Sequence, residues 1–233
     1  MKNVKYPSLF FMGFLNEKTK LVHCLLGFLS LLIFLVSCEA EKEPSADLGY
    51  NYYKVAVGQM NTFAVDSIYF SGVNNSSDTV HCFIREIITE RISEINGSKT
   101  FKVNAYVSYD TMQGWKWTDN YYYRTDTNTV QKIEGNTSRA IFVYPVLKNK
   151  KWNINLYNSQ PEEFAYFRKV DYTYDIYSHC AEIVFKEDIN FIEERKLTEI
   201  YSKNTGLISR YISDLSINNT IKDGIMVNFK RVN

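Results

Sequence analysis

Alternation of apolar and polar side chains is the feature that most limits what this chain can fold into. Phe101, Val103, Ala105, Val107 and Tyr109 fall on one parity, with Lys102, Asn104 and Ser108 on the other. Ile225, Val227 and Phe229 alternate in the same way with Asn228 and Lys230. Successive strand residues point to opposite faces, so this period marks a sheet with one face buried. Further strands are expected at 52–58, 62–71, 79–94, 139–146, 162–177 and 207–217. Turn-forming runs separate them: Asn74-Asn75-Ser76-Ser77, Asn96-Gly97, Lys203-Asn204-Thr205-Gly206 and Asp223-Gly224. Ile84, Ile88, Ile92 and Ile95 stand near helical spacing, but they lead into Asn96-Gly97 and the alternating stretch 99–109. A hairpin explains both features. Residues 189–200 fit either a helix or a strand. The expected fold is all-β, a single antiparallel domain forming a strongly curved sheet or an incomplete β-barrel. A sheet of many long strands must curl or close to bury one face.

The first 37 residues differ from the rest. Lys18 and Lys20 precede a run from Leu21 to Ser37 that carries no Asp, Glu, Lys or Arg. A charged start, an apolar run and a small residue at its end is the layout of a secretory signal. The run has 17 residues, whereas a comfortable membrane span needs about 20. It ends in Leu35-Val36-Ser37-Cys38, which resembles the lipobox of bacterial lipoproteins. That resemblance implies cleavage before Cys38 and a covalent diacylglycerol or acyl lipid on its sulfur, with no other cofactor. Two or more acyl chains anchor a protein stably where one does not. The expected organisation is a signal helix at 1–37, a lipidated flexible tether at 38–49 and the β domain at 50–233. Residues 39–47 are acidic, lack aromatics and contain Pro44, as a solvated tether should.

The chain holds 27 basic and 26 acidic residues; the first 37 contain Lys2, Lys5, Lys18, Lys20 and Glu17, leaving 23 and 25 and a net charge of −2. This balance gives no reason to expect nucleic acid as a partner. Of four cysteines, Cys24 lies in the signal and Cys38 carries the lipid, so Cys82 and Cys180 are the candidate disulfide. An exported chain meets an oxidising compartment. Two buried free thiols are the alternative.

Several segments resemble a group of uncharacterised Bacteroidota outer-membrane or surface lipoproteins. They are Tyr52 to Gly58, Val65-Asp66-Ser67-Ile68, Leu147 to Trp152 and Glu199 to Ile208. The likeness covers most of the chain after Cys38, but Asn204 and Thr205 stand where a glycine is usual. It implies an outer-membrane address, on the periplasmic side or the cell surface, and supplies no mechanism, since the group carries no established activity. The acidic residues behind Cys38 resemble the surface-export signal of the same bacteria.

The residues offer little catalytic chemistry. There is no GxSxG nucleophile elbow, no phosphate-cradling loop and no dinucleotide fingerprint. His81-Cys82 and His179-Cys180 suggest a zinc-like donor set, but neighbours on a strand diverge to opposite faces and cannot readily converge on one ion. Glu162-Glu163 and Glu193-Glu194 diverge for the same reason. Trp115, Trp117, Tyr121 and Tyr123 share one parity. They are candidate stacking rings for a sugar or apolar ligand, with core packing as the alternative. The expected role is non-catalytic: an envelope lipoprotein, bound to a membrane through its lipid, that binds an envelope protein or small ligand or serves a structural role. The alternatives are a hydrophobic-ligand carrier, similar to the half-barrel lipoprotein carriers, and a glycan-binding module.

Overall fold

The computed structural model describes residues 47–110 and 114–232. Twelve strands make up the fold: β1 (Met60–Ser71), β2 (Ser76–Ile95), β3 (Ser98–Ser108), β4 (Lys116–Thr125), β5 (Thr129–Glu134), β6 (Thr137–Val143), β7 (Lys151–Asn153), β8 (Phe164–Tyr174), β9 (Tyr177–Ile189), β10 (Glu193–Ser202), β11 (Gly206–Asn218) and β12 (Ile221–Val232). Among the described residues there is no helix, and residues 189–200 are the end of β9, the turn at 190–192 and most of β10. The stretch 79–94 lies within β2.

All strands belong to one antiparallel sheet, in the order β6-β5-β4-β3-β2-β1-β12-β11-β10-β9-β8-β7. Read as a ring, this is an up-and-down meander. Every strand pairs with its neighbours in sequence except β6 with β7, and the first also pairs with the last, from Thr62 opposite Val232 to Phe70 opposite Gly224. The ring is open only between β6 and β7. There Ala140 accepts a bond from the Trp152 indole at 2.9 Å, and its own N–H donates to Ile154 at 2.8 Å. The expected curved sheet is therefore a nearly closed barrel.

Rings from opposite walls meet inside. Phe142 of β6 packs against Phe167 of β8 at 5.4 Å and Tyr201 of β10 at 5.1 Å between centroids. Val103, Phe167 and Ile183 are wholly buried beside them. A twelve-stranded ring is wider than its own side chains can fill, and the segment before β1 supplies the missing volume. Residues 52–58, expected to be a strand, instead fold into one end of the barrel as a plug. Tyr52 is 1% exposed, and the Tyr53 ring packs edge-on or tilted against Tyr123, Phe142 and Tyr201. The plug is bonded to three of the connections between strands at that end. Val146 donates to Leu48 at 3.1 Å, Asn204 donates to Asn51 at 2.7 Å, and the Tyr50 hydroxyl donates to Thr127 at 3.1 Å. Lys203 pairs with Asp47 at 2.9 Å, so attachment begins within the stretch expected to be tether. Cys38 and the signal lie outside the described residues.

Two further expectations change. Asp223-Gly224 is not a turn; it lies inside β12, and Asn219-Thr220 make the reversal. Cys82 and Cys180 are free thiols. They sit on β2 and β9, with β1, β12, β11 and β10 between them in the sheet, so the expected disulfide is not formed.

Candidate functional site

Because the strands run strictly up and down, all turns of one kind lie at one end. The plug occupies the end formed by the β4–β5, β6–β7 and β10–β11 turns. The other end is recessed. A cavity of about 400 Å³ opens there, lined by Tyr123, Lys132, Glu134, Thr137, Arg139, Ile141, Ile154, Phe185, Leu197, Glu199, Arg210 and Ile212. Glu134 and Thr137 flank the β5–β6 hairpin and form its lip.

The lining follows from strand parity. Tyr123 pairs with Lys132, and Lys132 with Arg139, so all three share the inner face of β4, β5 and β6. A bulge at Ile141 shifts the register, bringing Ile141 to the cavity and Phe142 to the core. On the opposite wall Leu197 pairs with Ile212, and Glu199 with Arg210. The walls are thus largely aliphatic and aromatic, with charge at the lip and on the floor.

The floor is a closed polar network. The Arg210 guanidinium donates to Glu199 at 2.7 Å, and the Tyr201 hydroxyl donates to the other carboxylate oxygen at 2.5 Å. Burial disfavours the charged Arg210 guanidinium, but the Glu199 carboxylate beside it more than offsets this, so Arg210 holds its proton even more firmly than an ordinary arginine. Burial pushes the phenols of Tyr123, Tyr53 and Tyr201 above their ordinary range. These hydroxyls are therefore neutral donors at physiological pH. At the lip, Lys132 pairs with Glu134 at 2.7 Å and lies 4.2 Å over the Tyr121 ring.

The four expected stacking rings do not form one platform. Ala105 pairs with Asp119 but Tyr106 pairs with Trp117, so a bulge at Thr118 reverses the parity of β4. Tyr121 and Tyr123 point inward at 4% and 8% exposure. Trp117 points outward and is exposed. Trp115 is half-buried, with the Arg85 guanidinium 3.8 Å over its ring. A glycan platform of these four side chains is ruled out by that reversal.

His81 and Cys82 diverge as strand geometry requires. His81 is exposed and its Nδ1 contacts Asp66 at 2.6 Å, while Cys82 pairs with Val65 on the inner face. His179 is likewise exposed against Asp171 at 2.5 Å, with Cys180 buried beneath the sheet. Neither histidine lines the cavity. Burial raises both thiols above the usual cysteine range, aided at Cys82 by Asp66, a poor setting for a thiolate nucleophile.

Sequence reasoning missed the cavity residues. The visible signal was Glu134-Gly135-Asn136-Thr137, a turn flanked by short alternating runs. It places Lys132 and Arg139 opposite one another once the hairpin is recognised.

No protein-family model matches the chain, and no curated protein does. Among solved structures, the chain is similar to a protein from Bacteroides fragilis described as exported and as having a YmcC-like fold. That similarity has 9% identity, covers 78% of this chain and 99% of the other, and has a TM-score of 0.39.

Proposed function

We propose that this protein is a non-catalytic, lipid-anchored envelope protein whose barrel interior holds a small apolar or amphipathic ligand. The observation that carries this reading is the recess of about 400 Å³ opposite the plugged end, walled by Ile141, Ile154, Phe185, Leu197 and Ile212. Small-ligand sites are concave, mostly apolar and furnished with a few polar groups, with volumes of about 300–1,000 Å³. Export and anchoring rest on the apolar N-terminal run and on Leu35-Val36-Ser37-Cys38.

The outer face supports a water-exposed barrel rather than one embedded in lipid. Lys102 pairs with Glu90, Lys169 with Glu182 and Arg168 with Glu187. Charges within a lipid-facing band are strongly destabilising.

The test is titration with the neutral fluorescent probe N-phenyl-1-naphthylamine. Saturable binding at one site is expected, with affinity reduced at least about tenfold in Ile212→Trp, which fills the recess. Binding that does not saturate, or that Ile212→Trp leaves unchanged, would count against the reading. Lipidation is tested separately by labelling cells with radioactive palmitate, with incorporation lost in Cys38→Ala. A second reading, docking of an envelope protein, is favoured by Val73, Phe191 and Ile192. These are exposed at 93%, 98% and 71% on the turns at the open end. Phe191→Asp with Val73→Asp should then abolish co-purification of that partner without altering probe binding.

A further inference from the structure

Register sets two cations face to face at the mouth of the cavity. Lys132 and Arg139 are direct cross-strand partners on the inner face of β5 and β6. Like charges directly opposite across an antiparallel pair are destabilising. Glu134 neutralises Lys132, and Arg210 on the floor is held by Glu199. Among the described residues, Arg139 forms no ion pair, and it is exposed at the lip. The recess therefore carries three cationic groups against two carboxylates, beside an aliphatic wall of Ile141, Leu197 and Ile212.

We infer that the recess takes a single-chain amphiphile with an anionic head, an alkyl carboxylate or phosphate. The head sits at Arg139 and Lys132, and the chain lies along the aliphatic wall. A guanidinium fork matches two oxygens of such a head in one plane, and charge-assisted bonds are the strong ones. The anion removes the repulsion between the opposed cations. A volume of about 400 Å³ lies near the small end of the range for ligand sites, roughly 300–1,000 Å³, and suits one chain rather than two. This inference rests on the reading of the recess as a ligand site.

The experiment is isothermal titration of the intact protein with four ligands of equal chain length, all below micelle formation. These are dodecanoate, dodecyl phosphate, dodecanol and dodecyltrimethylammonium. At least one anionic ligand should bind about tenfold or more tighter than the alcohol, and the cationic ligand should bind weakest. In Arg139→Gln with Lys132→Gln the anionic ligands should fall to the level of the alcohol, whose affinity stays unchanged. Rising salt should erode the preference in the unaltered protein, a readout that needs no variant. Equal binding of alcohol and both anions by the unaltered protein overturns the head-group assignment while leaving the ligand site standing. Absence of binding by all four overturns both.

Discussion

Gly224 has φ 129°, and a Cβ there would lie 2.1 Å from the Asp214 carbonyl oxygen. It pairs with Phe70 on one side and Leu215 on the other, so the strand that closes the ring passes its neighbour at a distance only glycine permits. Gly224→Ala should lower stability by about 2 kcal/mol or more, read as a fall in Tm. In sequence the pair Asp223-Gly224 carries a turn signal. A glycine that relieves a close backbone approach and one that reverses a chain look alike until the partner strand is known. The thiols show the same limit. Their even number after Cys38 was legible, but whether two sulfurs meet depends on strand order. Cys82 and Cys180 should both be recovered as alkylated peptides from protein denatured without reductant. A linked peptide in that digest would contradict the structure.

The plug is the element that sequence reasoning read least well. Residues 52–58 have strand composition and lie next to strands, yet their apolar rings serve to fill a barrel end. Tyr52→Ala should destabilise by about 3–5 kcal/mol, the range for removing a large buried ring, as measured by urea unfolding. The plug should also loosen at acid pH. Asp47 is held below the usual carboxylate range, first by its hydrogen bond from Lys203 and then by Gly49. Its contribution is present above the ordinary carboxylate pKa and is lost as pH falls through the depressed value. Lys203 is raised by the same partner, so its contribution is present at neutral pH and fades only in strong base. Limited proteolysis near residue 50 should therefore quicken in acid before the barrel itself melts. Strand β4 shows how one inserted residue defeats a parity argument. Trp117 and Tyr121 share odd numbering, and Thr118 sends them to opposite faces.

For the whole molecule, the all-β class and its curvature were legible because alternation and turn residues recur along the chain. The hairpins at Asn96-Gly97 and Lys203 to Gly206 fell where expected. The cavity was not legible, because its lining comes from six strands and from Ile154 just after β7, and depends on bulges and the closure register. Closure also concentrates the long-range cost of folding. Every pairing but one joins strands consecutive in sequence, while the β1–β12 pairing must wait for the last strand. Deleting 221–233 should leave β1 and β11 as exposed edges. The product should aggregate, eluting in the void volume with loss of the native near-ultraviolet spectrum.

The position of the plug has a mechanical consequence. Any tension reaching the domain through the residues before Asp47 falls first on the Lys203 ion pair, then on the bonds from Val146 and Asn204. These contacts lie in series along the incoming chain, so a pull detaches them one after another before any sheet hydrogen bond is loaded. A pull of this kind would draw out the stopper and leave the staves in place.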